Sequence, residues 1–253
     1  MVIPSNMQTL SIVIPAYNEE KTIKNGSLED VWNYLNKQKY NWEVIIVDDA
    51  STDKTLLLSQ SFAKTHSGIK VLAEPHRGKG GSVIAGMLSA SGDIILFADM
   101  DQATPINQIE KLLPKFNKGF NIAIGSRSGR KGAPLIRKAM AYGFVVLRNV
   151  VLRLPYKDTQ CGFKAFKKDA AKNIFNRMRV VNEKTRKGGA SVSAGFDLEV
   201  LYVARKLGYK VAEVPVEWHH KETERINPIK DSWEGLRDLL KVRLNALLGK
   251  YRV

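Results

Sequence analysis

Apolar and polar positions fall into blocks of two kinds along the first half of the chain. Residues 10–15, 42–47, 69–73, 93–98 and 120–125 form short apolar runs with the length and branched content of strands buried on both faces. Between them the apolar residues recur at helical spacing. Residues 19–39 predict one helix, with Ile23, Leu28, Val31 and Leu35 on its apolar face. Residues 52–66, capped by Ser51 or Thr52, predict a second, and residues 78–90, with a glycine-rich start, a third. Residues 105–116 predict a fourth, with Thr104 as N-cap and Pro105 in the first turn. Strict strand–helix alternation predicts a mainly parallel sheet with helices on both faces.

The second half is less regular. Residues 135–154 predict a helix rich in apolar and basic residues, 162–166 a strand, 196–207 a helix and 210–218 a strand. The tail, 228–249, predicts an amphipathic helix with Ile229, Trp233, Leu236, Leu240, Leu244 and Leu247 in one stripe. Lys230, Arg237, Lys241, Arg243 and Lys250 form its charged side. Such a helix either docks on the domain or lies in a membrane interface. The organisation expected is an α/β domain over residues 1–227 and the amphipathic helix over 228–253.

Composition narrows the function classes. Forty basic against twenty-five acidic residues give a net charge of +15, which favours anionic partners. Nucleic acid is not the expected one, because zinc-ligand spacing and an aromatic RNA-recognition motif are both missing from the sequence. No apolar run approaches the ~20 residues of a membrane span, and the first residues lack the layout of a signal peptide. A soluble or peripheral protein is therefore expected. The single cysteine, Cys161, excludes a disulfide within the chain and reads as a packed thiol, since no histidine stands in a supporting motif. His66 and His76 read as ordinary helix-end and loop residues, and His219–His220 as loop residues.

The chemistry lies where strands end. The run at 94–98 stops at Asp99-Met100-Asp101, and residues i and i+2 of a strand share a side. Two carboxylates thus converge at a carboxyl edge, where open α/β sheets bind ligands. They supply hard oxygen donors for a divalent cation, which in turn clamps a diphosphate. Asn18-Glu19 and Asp48-Asp49 follow two other apolar runs and fall on the same edge. Arg127, Arg130, Lys131, Arg137 and Lys138 then crowd a short glycine-containing segment. A leaving nucleoside diphosphate needs such cations to stabilise its growing charge. A phosphate acceptor, whose second pKa is ~6, is already anionic and needs cations rather than a base. A hydroxyl acceptor needs a base, for which Asp158, Asp197 and Glu199 are candidates.

Several segments, in order, resemble family 2 inverting glycosyltransferases of the GT-A fold. They are Ile14-Pro15-Ala16-Tyr17-Asn18-Glu19, Val47-Asp48-Asp49-Ala50-Ser51-Thr52-Asp53, Arg77-Gly78-Lys79-Gly80-Gly81 and Asp99-Met100-Asp101. Gly125-Ser126-Arg127, residues 158–164, Phe196-Asp197-Leu198-Glu199 and residues 213–218 are similar to the polyprenyl-phosphate sugar transferase branch, its glucosyl members above all. The resemblance covers residues 9–220. It implies a Rossmann-like GT-A domain that moves a hexose, glucose from UDP-glucose, to a polyprenyl or dolichyl phosphate with Mg²⁺ or Mn²⁺. Mannose transfer from GDP-mannose and a hydroxyl acceptor are the alternatives it leaves.

By the same resemblance Pro15, Tyr17 and Glu19 line the base pocket and Asp48 lies near base or ribose. Arg77, Lys79 and Gln102 belong to the nucleotide site, Gln102 standing where glucosyl members usually carry a small residue. Asp99 and Asp101 hold the metal, and Arg127 and Arg137 approach the phosphates. The expected location is peripheral, on the cytoplasmic side of a membrane. Nothing in the pattern specifies an oligomeric state.

Overall fold

The computed structural model of the chain describes residues 9–127, 135–179, 194–219 and 228–251. Its strands are β1 (Thr9–Ala16), β2 (Asn41–Asp48), β3 (Ile69–Ala73), β4 (Ile94–Ala98), β5 (Ile122–Arg127), β6 (Phe163–Lys167) and β7 (Val211–Val216). They form one seven-stranded sheet in the order β3-β2-β1-β4-β6-β5-β7. β1 pairs in parallel with β2 and β4, so that Ile12 lies opposite both Val44 and Leu96. β6 is the exception: it runs antiparallel between β4 and β5, with Ala165 opposite Leu96 and Ala123. Its apolar pattern predicts a strand but carries no direction. The reversal matters, because β6 then brings its first residues to the edge where β1, β2, β4 and β5 end.

The helices are α1 (Glu20–Lys24), α2 (Ser27–Leu35), α3 (Thr55–Thr65), α4 (Gly78–Ser89), α5 (Ile109–Asn117), α6 (Leu135–Leu152), α7 (Lys168–Phe175), α8 (Ala194–Lys206) and α9 (Pro228–Leu247). Strand residues alternate between two cores. Ile12, Ile14, Val44 and Ile46 pack with α2 and α5 residues such as Val31, Leu35, Ile109 and Leu112. Val13, Ile45 and Phe97 face the other way, onto Val83 and Met87 of α4, Phe175 of α7 and Leu201 of α8.

Three helix expectations change. The helix expected over 19–39 is two, α1 and α2, because Gly26 takes φ +88°, a left-handed angle that turns the chain between them. Thr104 is not an N-cap: its hydroxyl faces the Cys161 thiol at 3.9 Å, and a 3₁₀ turn, Ile106–Gln108, precedes α5. Ser51 and Thr52 do not cap α3 either. They bond back to Asn18, and Asp53 accepts the Thr55 N–H and hydroxyl instead.

The tail is helical as expected, but its predicted stripe is not the face that packs. Leu239 and Val242 of α9, with Tyr251 beyond it, are buried in the core, while Trp233, Leu240, Leu244 and Leu247 are exposed. The basic residues Arg237, Lys241 and Arg243 flank that exposed stripe rather than opposing it. Ile229 and Lys230 have side chains outside the described residues.

Candidate active site

The carboxyl ends of β1, β2 and β4 converge, and each is followed by a residue with left-handed backbone: Asn18 (φ 54°), Ala50 (φ 56°) and Gln102 (φ 51°). The first two loops are tied together. Asn18 donates its N–H to Ser51 Oγ (3.0 Å), and its side-chain oxygen accepts the Thr52 N–H (2.8 Å). Glu19 donates its N–H to Thr55 Oγ1 (2.7 Å) and accepts the Thr22 hydroxyl (2.6 Å). Burial works against the Asp53 charge, but the hydroxyl and N–H of Thr55 and the Glu20 N–H hold its pKa low.

Pro15 and Tyr17 are half-buried beside these loops. Tyr17 stacks on His76, ring centroids 4.5 Å apart. His76 Nδ1 lies 2.9 Å from both the carbonyl and a carboxylate oxygen of Asp49, whose other oxygen accepts the Arg77 N–H at 2.7 Å. His76 thus joins the site, a role its loop context in the sequence concealed. Asp48 is buried; one carboxylate oxygen accepts the Ser51 N–H (3.1 Å), and the other has no hydrogen-bond partner among the described residues. The Arg77 guanidinium turns toward Glu74, 3.8 Å away.

At the β4 end, Lys79 from the start of α4 forms an ion pair with Asp99. Burial opposes the Lys79 charge, but Asp99 chiefly, with Asp197 and Asp101, raises its pKa. Asp101 accepts the Ala103 N–H (2.9 Å). Gln102 donates its amide N–H to the Asp99 carbonyl (3.0 Å), and its amide oxygen is buried without a partner among the described residues. Gly162 crosses so close that a Cβ there would collide with the Asp99 carboxylate. Among the described residues no group of three or more acidic, histidine or cysteine side chains forms a ready metal cage. Asp99 and Asp101 offer carboxylate oxygens, hard donors of the kind Mg²⁺ and Mn²⁺ take together with phosphate oxygens.

A second layer comes from β5, β6 and β7. Arg127 donates to Asp158 through Nε (2.6 Å) and Nη2 (2.9 Å), and its guanidinium lies 5.7 Å from the Trp218 ring centre. Burial disfavours both charges of this pair, yet their mutual bond raises the Arg127 pKa and lowers that of Asp158. Glu213 of β7 accepts the N–H groups of Lys157 (3.0 Å) and Asp158 (2.7 Å), fixing the loop. Lys164 of β6, fully buried, donates to Asp197 and the Cys161 carbonyl, both at 2.5 Å. A lysine inside an apolar strand was the available sign of this pair. Glu199 accepts the Tyr251 hydroxyl and the Arg179 N–H, both at 2.6 Å. Cys161 is buried, which pushes its thiol pKa up, as expected of a packed cysteine. His219 is exposed, with its N–H on the Ala103 carbonyl (2.7 Å). Arg130, Lys131, His220 and the side chain of Arg137 lie outside the described residues.

The site therefore gathers Tyr17, Glu19, Asp48, Lys79, Asp99, Asp101, Gln102 and Arg127 on one edge, and adds His76, Asp158, Lys164 and Asp197. The chain is 32% identical to dolichyl-phosphate beta-glucosyltransferase of Dictyostelium discoideum over 262 residues, which is 96% of this chain and 76% of the relative. It is 33% identical to the Saccharomyces cerevisiae protein of that name, covering 96% of this chain and 76% of the relative. Among solved structures, glucosyl-3-phosphoglycerate synthase from Mycobacterium tuberculosis in complex with UDP superposes with a TM-score of 0.61 at 20% identity, covering 93% of this chain and 80% of that one. Mannosyl-3-phosphoglycerate synthase from Rubrobacter xylanophilus gives 0.63 at 15% identity, covering 97% and 76%. The model of glycosyl transferase family 2 matches residues 11–175, a span that runs from β1 to α7 and holds the Asp48, Asp99 and Asp101 loops. By the match of that family model over most of its length and the identity to these relatives, the chain belongs to glycosyl transferase family 2.

Proposed function

We propose that this chain transfers glucose, with inversion, from UDP-glucose to the phosphate of a dolichyl or other polyprenyl phosphate. The relatives named above support the donor sugar and the acceptor. One observation in the site supports the acceptor class: the three candidate bases for a hydroxyl acceptor, Asp158, Asp197 and Glu199, are all engaged. Asp158 is held by Arg127, Asp197 by buried Lys164, and Glu199 by Tyr251 and the Arg179 N–H. A phosphate acceptor needs none of them, because it is an anion at neutral pH.

The chain's own groups have distinct tasks. Tyr17 and His76 offer a flat surface for the base, and Asp48 a buried acceptor for a ring N–H or ribose hydroxyl. Asp99 and Asp101 are the residues that would hold Mg²⁺ or Mn²⁺, which would offset the negative charge growing on the leaving diphosphate. Arg127, pinned in plane by Asp158, has Nη1 without a hydrogen bond among the described residues. It orients the acceptor phosphate and screens one anion from the other. The family resemblance gives Arg137 the same task, though its side chain lies outside the described residues.

We place this catalytic domain at a membrane surface, on the cytoplasmic side. No described helix is long and apolar enough to cross a bilayer. Support for surface binding is the exposed apolar stripe of α9, flanked by Arg237 and Arg243, and the neighbouring α6, where Val146, Leu147 and Val150 are also exposed. The free thiol Cys161 suits a reducing compartment.

The test compares a short-chain polyprenyl phosphate with the corresponding free alcohol, each with UDP-glucose and Mn²⁺. Transfer confined to the phosphate is expected. The wild type and the Asp158→Asn variant should share one pH profile, whose acid limb follows the acceptor's ionisation. Equal transfer to the alcohol would overturn the reading and promote a hydroxyl-acceptor enzyme.

A further inference from the structure

We propose that Lys79 competes with the divalent cation for Asp99, and that the donor diphosphate resolves the competition by taking Lys79 for itself, so that cation and nucleotide bind as a coupled pair. The inference rests on the donor reading above.

Lys79 Nζ contacts the Asp99 carboxylate directly, so a cation that ligates that oxygen must displace an ammonium. Asp197 cannot simply take the place of Asp99, because Lys164 holds it, and Asp101 alone would leave the cation one carboxylate short. Lys79 is moreover the second residue of the twelve-residue helix α4. Its charge sits beside the helix end where unpaired N–H groups already carry partial positive charge, and a cation there is disfavoured unless an anion faces it. Asp99 is that anion. A diphosphate at the same helix end satisfies both the N–H groups and the ammonium, which frees Asp99. The exchange needs no unfolding, because the Lys79 and Asp99 side chains remain 31% and 33% exposed. Gly78 and Gly80 on either side of Lys79 add no side chain of their own. Gly162 brings its backbone close against the Asp99 carboxylate, which narrows the room that carboxylate has to move.

The expected consequence is heterotropic coupling. Manganese binding is read from the electron paramagnetic signal of free Mn²⁺, with and without UDP, for the wild type, Lys79→Met and Lys79→Arg. In the wild type UDP should tighten Mn²⁺ binding by about tenfold or more, within the usual range of coupling between two sites. Lys79→Met should bind Mn²⁺ alone more tightly than the wild type by a similar factor, and UDP should then tighten it by less than it does in the wild type. Lys79→Arg, which keeps the charge, should retain weak binding of Mn²⁺ alone. Should the methionine variant fail to fold, Lys79→Gln gives the same reading, since it also removes the charge. If the uncharged variants bind Mn²⁺ alone no more tightly than the wild type while UDP still strengthens it, Lys79 is a nucleotide contact only and the proposal is overturned. If the wild type binds neither UDP nor Mn²⁺, the donor reading itself falls, and this inference with it.

Discussion

Asn18, Ala50 and Gln102 show how single residues build the site. Each takes a left-handed φ just past a strand end, where the chain must turn sharply to leave carboxylates facing the crevice. For an L-residue that angle costs ~1–2 kcal/mol. Asn18 offsets it with side-chain bonds to Thr52. Ala50 is exposed and has no side chain to do so. Ala50→Gly should therefore stabilise the fold by up to about 1 kcal/mol after glycine's own entropy cost, read from the urea midpoint. Asn18→Gly should destabilise it by the same assay. In the chemistry, Asp101→Ala should lower turnover by ~10²–10³ with the fold intact by circular dichroism, the range seen when one stabiliser of transition-state charge is lost. The carboxylates were legible in the sequence because they follow apolar runs at a fixed offset. Their partners were not. Lys164 and His76 meet Asp197 and Asp49 only through tertiary contact, and no local spacing encodes that. Asp158 reads as a possible base until Arg127, thirty-one residues away, is seen to hold it.

At the scale of elements, helix α9 separates what periodicity reports from what it leaves open. Helical spacing identified an apolar stripe. It did not say whether the protein or another apolar phase covers it. The core takes Leu239 and Val242 on the opposite side, against α8, and leaves Trp233 and Leu247 each 68% exposed. Substitutions should divide accordingly. Leu244→Glu should weaken binding to anionic vesicles in a sedimentation assay while leaving the melting temperature unchanged. Leu239→Ala should cost ~2–5 kcal/mol of stability, the usual cost of emptying a buried leucine site. Vesicle binding should also fall as salt rises, because screened Arg237, Lys241 and Arg243 lose their attraction to anionic lipid. Strand direction was the other element hidden from the pattern. β6 is buried on both faces whichever way it runs, so its residues read alike in parallel and antiparallel pairing.

Across the whole molecule the two edges of the sheet divide the work. The candidate site lies at the carboxyl ends of β1, β2 and β4, and a polar clamp closes the opposite edge. There Glu43 accepts the hydroxyls of Ser11 (2.6 Å) and Ser91 (2.7 Å), the Ser91 N–H (2.7 Å) and the Lys70 ammonium (2.7 Å). Burial pushes the Glu43 carboxyl up, but these bonds prevail and hold its pKa at about 2. A depressed carboxylate contributes stability that is present above its ordinary value and lost as pH falls through the folded one. Denaturant midpoints should therefore fall from about pH 4.5 toward pH 2. Glu43→Gln should be less stable than the wild type at pH 7, by up to about 3 kcal/mol, with the gap closing over that acid range. The function proposed for the other edge is tested most directly by the product itself. The full chain is incubated with UDP-glucose, a short-chain polyprenyl phosphate and Mn²⁺, and the lipid is analysed by mass and by the anomeric proton coupling. The account predicts a lipid heavier by one hexose, β-linked through phosphate, formed from UDP-glucose in preference to GDP-mannose and abolished by EDTA. An unchanged lipid, an α-linked product or equal turnover in chelator would contradict it.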